Sequence, residues 1–194
     1  MSRRQDIATA AIELVSEGGT HALTHRRIDR HLGVPEGTTS NYARSRRALV
    51  RMVIDEVAAL ADIRGGEQRT LPRTVSEAVD QLVPALQETV ERAVDTRARM
   101  ALSIDLVNDD EFHALLTTDS PVRVKLLGDA ERMLAALDVA EPRPRAVDFI
   151  GLMNGLLFDR LAGNGVRGER VDARSVLTAW LIGIGARQEM PPAS

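Results

Sequence analysis

An all-α fold is predicted for this 194-residue chain by three observations. Apolar side chains recur three or four residues apart along most of the length, the spacing of one helix face. Aromatic residues make up 3% and charged residues 27%, a balance poor in strand formers. Glycine, proline and hydroxyl residues interrupt the apolar stripes where helices would start and stop.

In the first helix Ile7, Ala11, Leu14 and Val15 form one face, and Gly18-Gly19 stops it. Thr24 is suited to cap a second, short helix, on which Ile28 and Leu32 sit four apart; Gly33 ends it. Pro35 fits the first turn of a third helix, because its fixed φ is helical and no needed donor is lost. A fourth carries Leu49, Met52, Val53, Val57 and Leu60 as its buried stripe.

The stretch 61–74, ADIRGGEQRTLPRT, reads as a linker and divides the chain into 1–60 and 61–194. Beyond it the spacing predicts helices over 74–94, 96–107, 110–118, 121–138, 143–163 and 172–188. Thr74 with Glu77 has capping-box spacing, and Ser120-Pro121 offers an N-cap followed by proline at the first helical position. Glu141-Pro142-Arg143-Pro144 separates the next pair, and Gly163-Asn164-Gly165 ends a helix before the last.

Several function classes find no support. Cysteine is absent, which removes disulfides, thiolate metal sites and thiol nucleophiles, and the four histidines are scattered. Asp109-Asp110-Glu111 beside His113 reads as a helix start, where the macrodipole favours acids, rather than as a metal site. No phosphate-binding loop, HExxH or GxSxG motif occurs, so neither catalysis nor a cofactor is expected. The longest apolar stretches, 149–158 and 176–186, fall short of a membrane span, and the basic start leads into an amphipathic segment. A cytoplasmic location is the expectation.

Charge is divided along the chain. Residues 1–51 hold nine arginines against five acids, a net +4, while the remainder is net −7. A basic head on an acidic body suits a polyanion-binding module joined to a non-binding domain. The third segment, PEGTTSNYA, has little apolar surface to bury and includes a glycine costly to a helix. Its Thr38, Thr39, Ser40 and Asn41 carry small groups able to bond phosphates or base edges, and Gly37 permits close backbone approach. Tyr42, Arg44, Arg46 and Arg47 follow directly. A short helix, a glycine turn and another short segment make the helix-turn-helix arrangement.

LTHRRIDRHLGVPEGTTSNYARSRRAL (23–49) resembles the DNA-binding domain of TetR-family bacterial transcriptional repressors. The matching elements are Leu23-Thr24, Leu32-Gly33-Val34, Gly37-Thr38, Tyr42, and Arg46 with Leu49. The resemblance implies a three-helix DNA-binding domain, followed by a helical ligand-binding and dimerisation domain. It further implies that Thr24, His25, Tyr42 and Arg46 hold phosphates, that Arg26 reaches a base or a phosphate, and that Glu36, Gly37, Thr38, Ser40 and Asn41 face the groove. Glu36 has two readings: acceptor from a cytosine amino group, or helix-start acid. The chain departs from the family pattern at Pro35, where a Ser or Thr cap is common, and at Ser40 and Ala43, where aromatics are common.

In the body, 147–161 is apolar on nearly every side, with Gly151 and Gly155 four apart. Together with Leu157, Trp180, Gly183 and Ile184 they suggest a two-fold helical interface, which the resemblance places in the last two helices. A dimer would present two DNA heads to a palindromic double-stranded operator. By the same resemblance the other helices enclose a small-molecule effector. Its candidate lining is Met100, Ser103, Ile104, Val107, Phe112, Leu116, Met133, Leu137, Asn154 and Phe158, although each apolar member suits plain core better than ligand contact. Scarce aromatics favour a flexible aliphatic or acyl-type ligand. The competing expectation is a helical small-molecule binder that has lost DNA binding.

Overall fold

In the computed structural model, residues 2–64 and 70–189 are described. Among them nine α-helices follow one another: α1 (Arg3–Gly18), α2 (His25–Leu32), α3 (Arg46–Arg64), α4 (Val75–Glu91), α5 (Ala93–Asp105), α6 (Asp110–Leu116), α7 (Pro121–Ala136), α8 (Pro142–Leu161) and α9 (Ala173–Gly183). No strand occurs among the described residues.

Local chemistry sets most of the helix ends. Ser2 caps α1 by accepting from the Gln5 amide, and Gly19 at φ +63° ends it. The Thr24 hydroxyl accepts from the Arg27 amide at 3.3 Å, and Gly33, in the left-handed region, closes α2. Thr74 accepts from the Glu77 amide, and the Glu77 carboxylate reaches back to the Arg73 amide. Asp109 accepts from the Phe112 amide at the start of α6, and Asp110 and Glu111 follow in its first turn. Among the described residues no group of His, Asp and Glu side chains is placed to hold a metal ion.

Packing divides the chain into two units. The first contains the described parts of 1–67 and 92–123. Here α1 lies mainly on α5, and Ile7, Val15, Leu23, Ile28, Leu49, Val53, Leu102 and Phe112 form one core with α2, α3 and α6. Each such side chain contributes roughly 1.5–3 kcal/mol on burial. The second unit contains the described parts of 68–91 and 124–194. Val79 and Leu86 of α4 meet Leu134 of α7, Phe149 and Leu156 of α8, and Leu177 and Leu181 of α9.

The units therefore cut across the expected division at residue 60. α1 buries seven side chains, and Ala98 and Leu102 of α5 with Phe112 and Leu116 of α6 complete the apolar cover that α2 and α3 begin. The expected linker is helical as far as Arg64, while 65–69 lies outside the described residues.

Two expected elements differ in form. The third helix, expected to start at Pro35, is a turn over 36–38 followed by a single 3-10 turn, Thr39–Asn41. Gly37 adopts φ +93°, which breaks any α-helix running through it. The last helix ends at Gly183 rather than 188. Gly185 takes φ +82°, the Ala186 amide returns to the Leu181 carbonyl, and Arg187 pairs through its backbone with Leu137 and Val75.

Candidate nucleic-acid interface

The helix-turn-helix lies in the first unit, anchored by Ile28 of α2 and Leu49 of α3, both fully buried. Between those anchors, 36–42 is held by side chains rather than by helical hydrogen bonding. Asp29, on α2 and 1% exposed, directs both carboxylate oxygens at the turn. The Gly37 amide donates to one oxygen at 2.7 Å. The Thr39 amide and hydroxyl donate to the other at 2.8 and 2.6 Å. Burial raises the Asp29 pKa, but these hydrogen bonds from Thr39 and Gly37, with a smaller contribution from the nearby His25 charge, outweigh it. The carboxyl stays below its usual range and is ionised near neutrality. Thr39 is fully buried, whereas Ser40, Asn41 and Tyr42 on its far side are exposed.

Sequence reasoning passed over Asp29. Its signal was indirect: proline at 35 supplies no hydroxyl cap, so the amides after it need another acceptor. The required carboxylate is eight and ten residues earlier in the chain.

Of the ten residues expected at DNA, Thr24, Arg26, Glu36, Gly37, Ser40, Asn41, Tyr42 and Arg46 are exposed, and His25 and Thr38 are half-buried. Several already have partners within the unit. The Arg26 Nε donates to a Glu36 carboxylate oxygen at 2.9 Å, and both side chains remain largely exposed. His25 Nε2 lies 2.6 Å from the Ala43 carbonyl, fixing the end of the turn to the start of α2. Thr38 donates its hydroxyl to the Pro35 carbonyl. Arg46 donates from one terminal nitrogen to the Thr20 carbonyl at 2.9 Å. The backbone amide of Gly37 is committed to Asp29, so what this glycine supplies is its positive φ.

The ten residues expected to line a ligand pocket are split between the units. Phe112 and Leu116 fill the core of the first, while Ile104 and Val107 are 65% and 54% exposed there. Met100 and Ser103 are half-buried on α5, and the Ser103 hydroxyl donates to the Arg99 carbonyl. In the second unit Leu137 is fully buried, Met133 and Asn154 are half-buried and Phe158 is exposed. A surface depression of about 900 Å3 is lined by loop residues from Leu161 to Glu169, and one of about 340 Å3 lies between α1 and α2. None of the ten lines either.

The six residues expected at a two-fold interface fall into two kinds. Gly151, Gly155 and Gly183 are exposed, and a Cβ at any of them would meet nothing within 4 Å. Leu157, Trp180 and Ile184 are half-buried against their own core, and the Trp180 ring lies 5.7 Å from that of Phe149. Beside the glycines, Val147, Phe158 and Ile182 expose apolar surface.

A helix-turn-helix exposed within a basic N-terminal segment, in a chain whose other helices include a second packed unit, is the build of a DNA-binding transcription regulator. The C-terminal domain model described as tetracyclin repressor-like matches residues 73–183, more than half of the sequence. The chain belongs to that family and is a TetR-like transcriptional regulator.

Solved structures agree on the fold. A transcriptional regulator from Rhodococcus sp. RHA1 superposes with a TM-score of 0.75 at 16% identity, over 98% of this chain and 100% of its own. A TetR-like regulator from the same source gives 0.66 at 20% identity, over 94% and 96%. GusR of Salmonella enterica gives 0.65 at 18% identity, over 93% and 94%. No protein of curated function matches the chain in sequence. Among the described residues no helix is long and apolar enough to cross a membrane.

Proposed function

We propose that the chain is a homodimeric repressor acting in the bacterial cytoplasm, released from a palindromic operator by a small molecule and without enzymatic activity. DNA binding is assigned to residues 1–60, and dimerisation and effector binding to 61–194. The observation that carries the reading is the turn Thr38 to Tyr42, which exposes Ser40, Asn41 and Tyr42 and lies within the segment 1–51 of net charge +4. Thr24, His25, Tyr42 and Arg46 then contact phosphates, Arg26 reaches a base or a phosphate, and Glu36, Gly37, Thr38, Ser40 and Asn41 face the groove.

The open glycines of α8 and α9, set among exposed Val147, Phe158 and Ile182, favour close approach of a second copy. Two heads then meet half-sites one helical turn, or a multiple of it, apart. An effector acts only by binding the released arrangement more tightly than the operator-bound one, with a coupling of about 1–3 kcal/mol. The scarcity of aromatics favours a flexible aliphatic or acyl-type effector.

A gel shift with duplex fragments flanking the gene, followed by a metabolite screen for release, tests this reading. Tyr42→Phe and Arg46→Ala are expected to weaken binding to all sequences and flatten its salt dependence, whereas Asn41→Ala also changes base preference. A second reading, a helical small-molecule binder without DNA affinity, draws on the absence of a continuous α-helix over 36–42 and on the neutralisation of Arg26 by Glu36. No retarded fragment at low salt, together with a bound metabolite, would favour it.

A further inference from the structure

Resting on that DNA-binding reading, we propose that Asp29 is the positioning residue that decides which bases the turn selects. It does so from inside the unit, without touching DNA. A 3-10 turn of three residues has little rigidity of its own. Its backbone bonds here run from the Thr38 amide to Pro35, from Asn41 to Thr38, and from Tyr42 and Ala43 to Thr39, at 3.2, 3.2, 3.0 and 3.0 Å. It also follows Gly37, the least restrained type of residue, at φ +93°. Left to these bonds, 36–42 would sample many conformations and lose that freedom on every docking event.

Asp29 removes the freedom beforehand. Three short bonds to a carboxylate pin one amide before the turn, and one amide and one hydroxyl at its first residue. The carboxylate rides on α2 beside fully buried Ile28, and the Asp29 carbonyl also accepts from the Val34 amide at 3.0 Å. With Thr39 locked inward, Thr38, Ser40 and Asn41 keep one set of directions toward a groove. The hydroxyl cap that Pro35 cannot supply is thus replaced by an internal one.

The roles of phosphate contact, general stabiliser and positioning residue leave different signatures. Loss of a phosphate contact weakens all sequences and lowers the salt slope, and loss of a stabiliser shifts melting without altering preference. Loss of a positioning residue reduces the preference for one sequence over another while the salt slope stays.

The experiment uses the full chain and a duplex selected by the wild type from a randomised pool, with a scrambled duplex as control. Asp29→Asn, which sets an amide donor against the Gly37 amide, is expected to bind the selected duplex about tenfold more weakly. Its affinity for the scrambled duplex and its salt slope should stay near wild type. Adding Pro35→Ser to Asp29→Ala should recover part of the preference, because a serine hydroxyl at that position can cap the amides of Gly37 or Thr38. Should Asp29→Asn fail to fold, Thr39→Val, which removes only the hydroxyl bond, is expected to show a smaller loss confined to the selected duplex. An unchanged ratio of selected to scrambled affinity in a folded variant overturns the inference. A wild type that enriches no sequence overturns the DNA-binding reading itself.

Discussion

Arg47 at the start of α3 and Asp109 at the start of α6 form a two-ended clamp. One terminal nitrogen of Arg47 lies 2.7 Å from an Asp109 oxygen, and the other lies 2.5 Å from Glu111. The guanidinium carbon stands 4.1 Å from the centroid of the buried Phe112 ring. Asp109 caps α6 with its second oxygen, so one carboxylate fixes the helix both to itself and to α3. The Arg47 hydrogen bond, then that of the Phe112 amide, hold the Asp109 carboxyl below its usual range. The two carboxylates in turn raise the Arg47 pKa.

Exposed ion pairs contribute little, and half of the Arg47 side chain meets solvent. Arg47→Ala is expected to lower the melting midpoint by no more than a few degrees, with the shift shrinking in high salt. Arg47→Lys should recover less than half of it, because a lysine cannot fork between two carboxylates. Calorimetry at two ionic strengths measures both.

Gly37→Ala isolates backbone strain. A Cβ there meets nothing within 4 Å, so the substitution clashes with no neighbour and its cost comes from φ +93°. A destabilisation of about 1 kcal/mol is expected, with weakened operator binding. Denaturant unfolding followed by a binding titration separates the two effects.

Gly155→Leu tests the α8 surface. The site opens to solvent within the protomer, so helix content should be unchanged while a close-packed two-fold contact is lost. Light scattering should report one subunit instead of two, and operator affinity should fall with it. A mass still at two subunits moves the interface elsewhere.

The pH dependence of the turn follows from Asp29. Its native pKa lies below the ordinary 3.8, so the carboxylate stabilises the native state fully above that value. This contribution is lost as pH falls through the lowered native value, where the native carboxylate finally protonates. Asp29→Asn should therefore lower stability at neutral pH by about 1–3 kcal/mol and differ less from wild type in strong acid. Urea midpoints from neutral pH to below the ordinary carboxylate range provide the measurement.

The helix caps were legible in the sequence because capping is local. Thr24, Gly33 and Thr74 act on amides or carbonyls within a few residues, and the structure places them where their chemistry requires. The apolar stripes were equally legible as buried. Their destination was not: Phe112 and Leu116 belong to the core under the helix-turn-helix, a fact spacing within α6 does not contain. Residue type alone likewise could not show that α8 turns Phe149 and Leu156 inward while Val147 and Phe158 face outward.

The amino-acid order by itself determined the all-helical class, most helix limits and the position of the turn between α2 and α3, since each depends on interactions between near neighbours. Tertiary structure decided the conformation of that turn. Its amides are satisfied by the Asp29 carboxylate from another helix, and Gly37 gives the backbone the left-handed turn that brings it there. Such a bond forms only after α2 has packed, so no spacing rule along the chain could have foretold it.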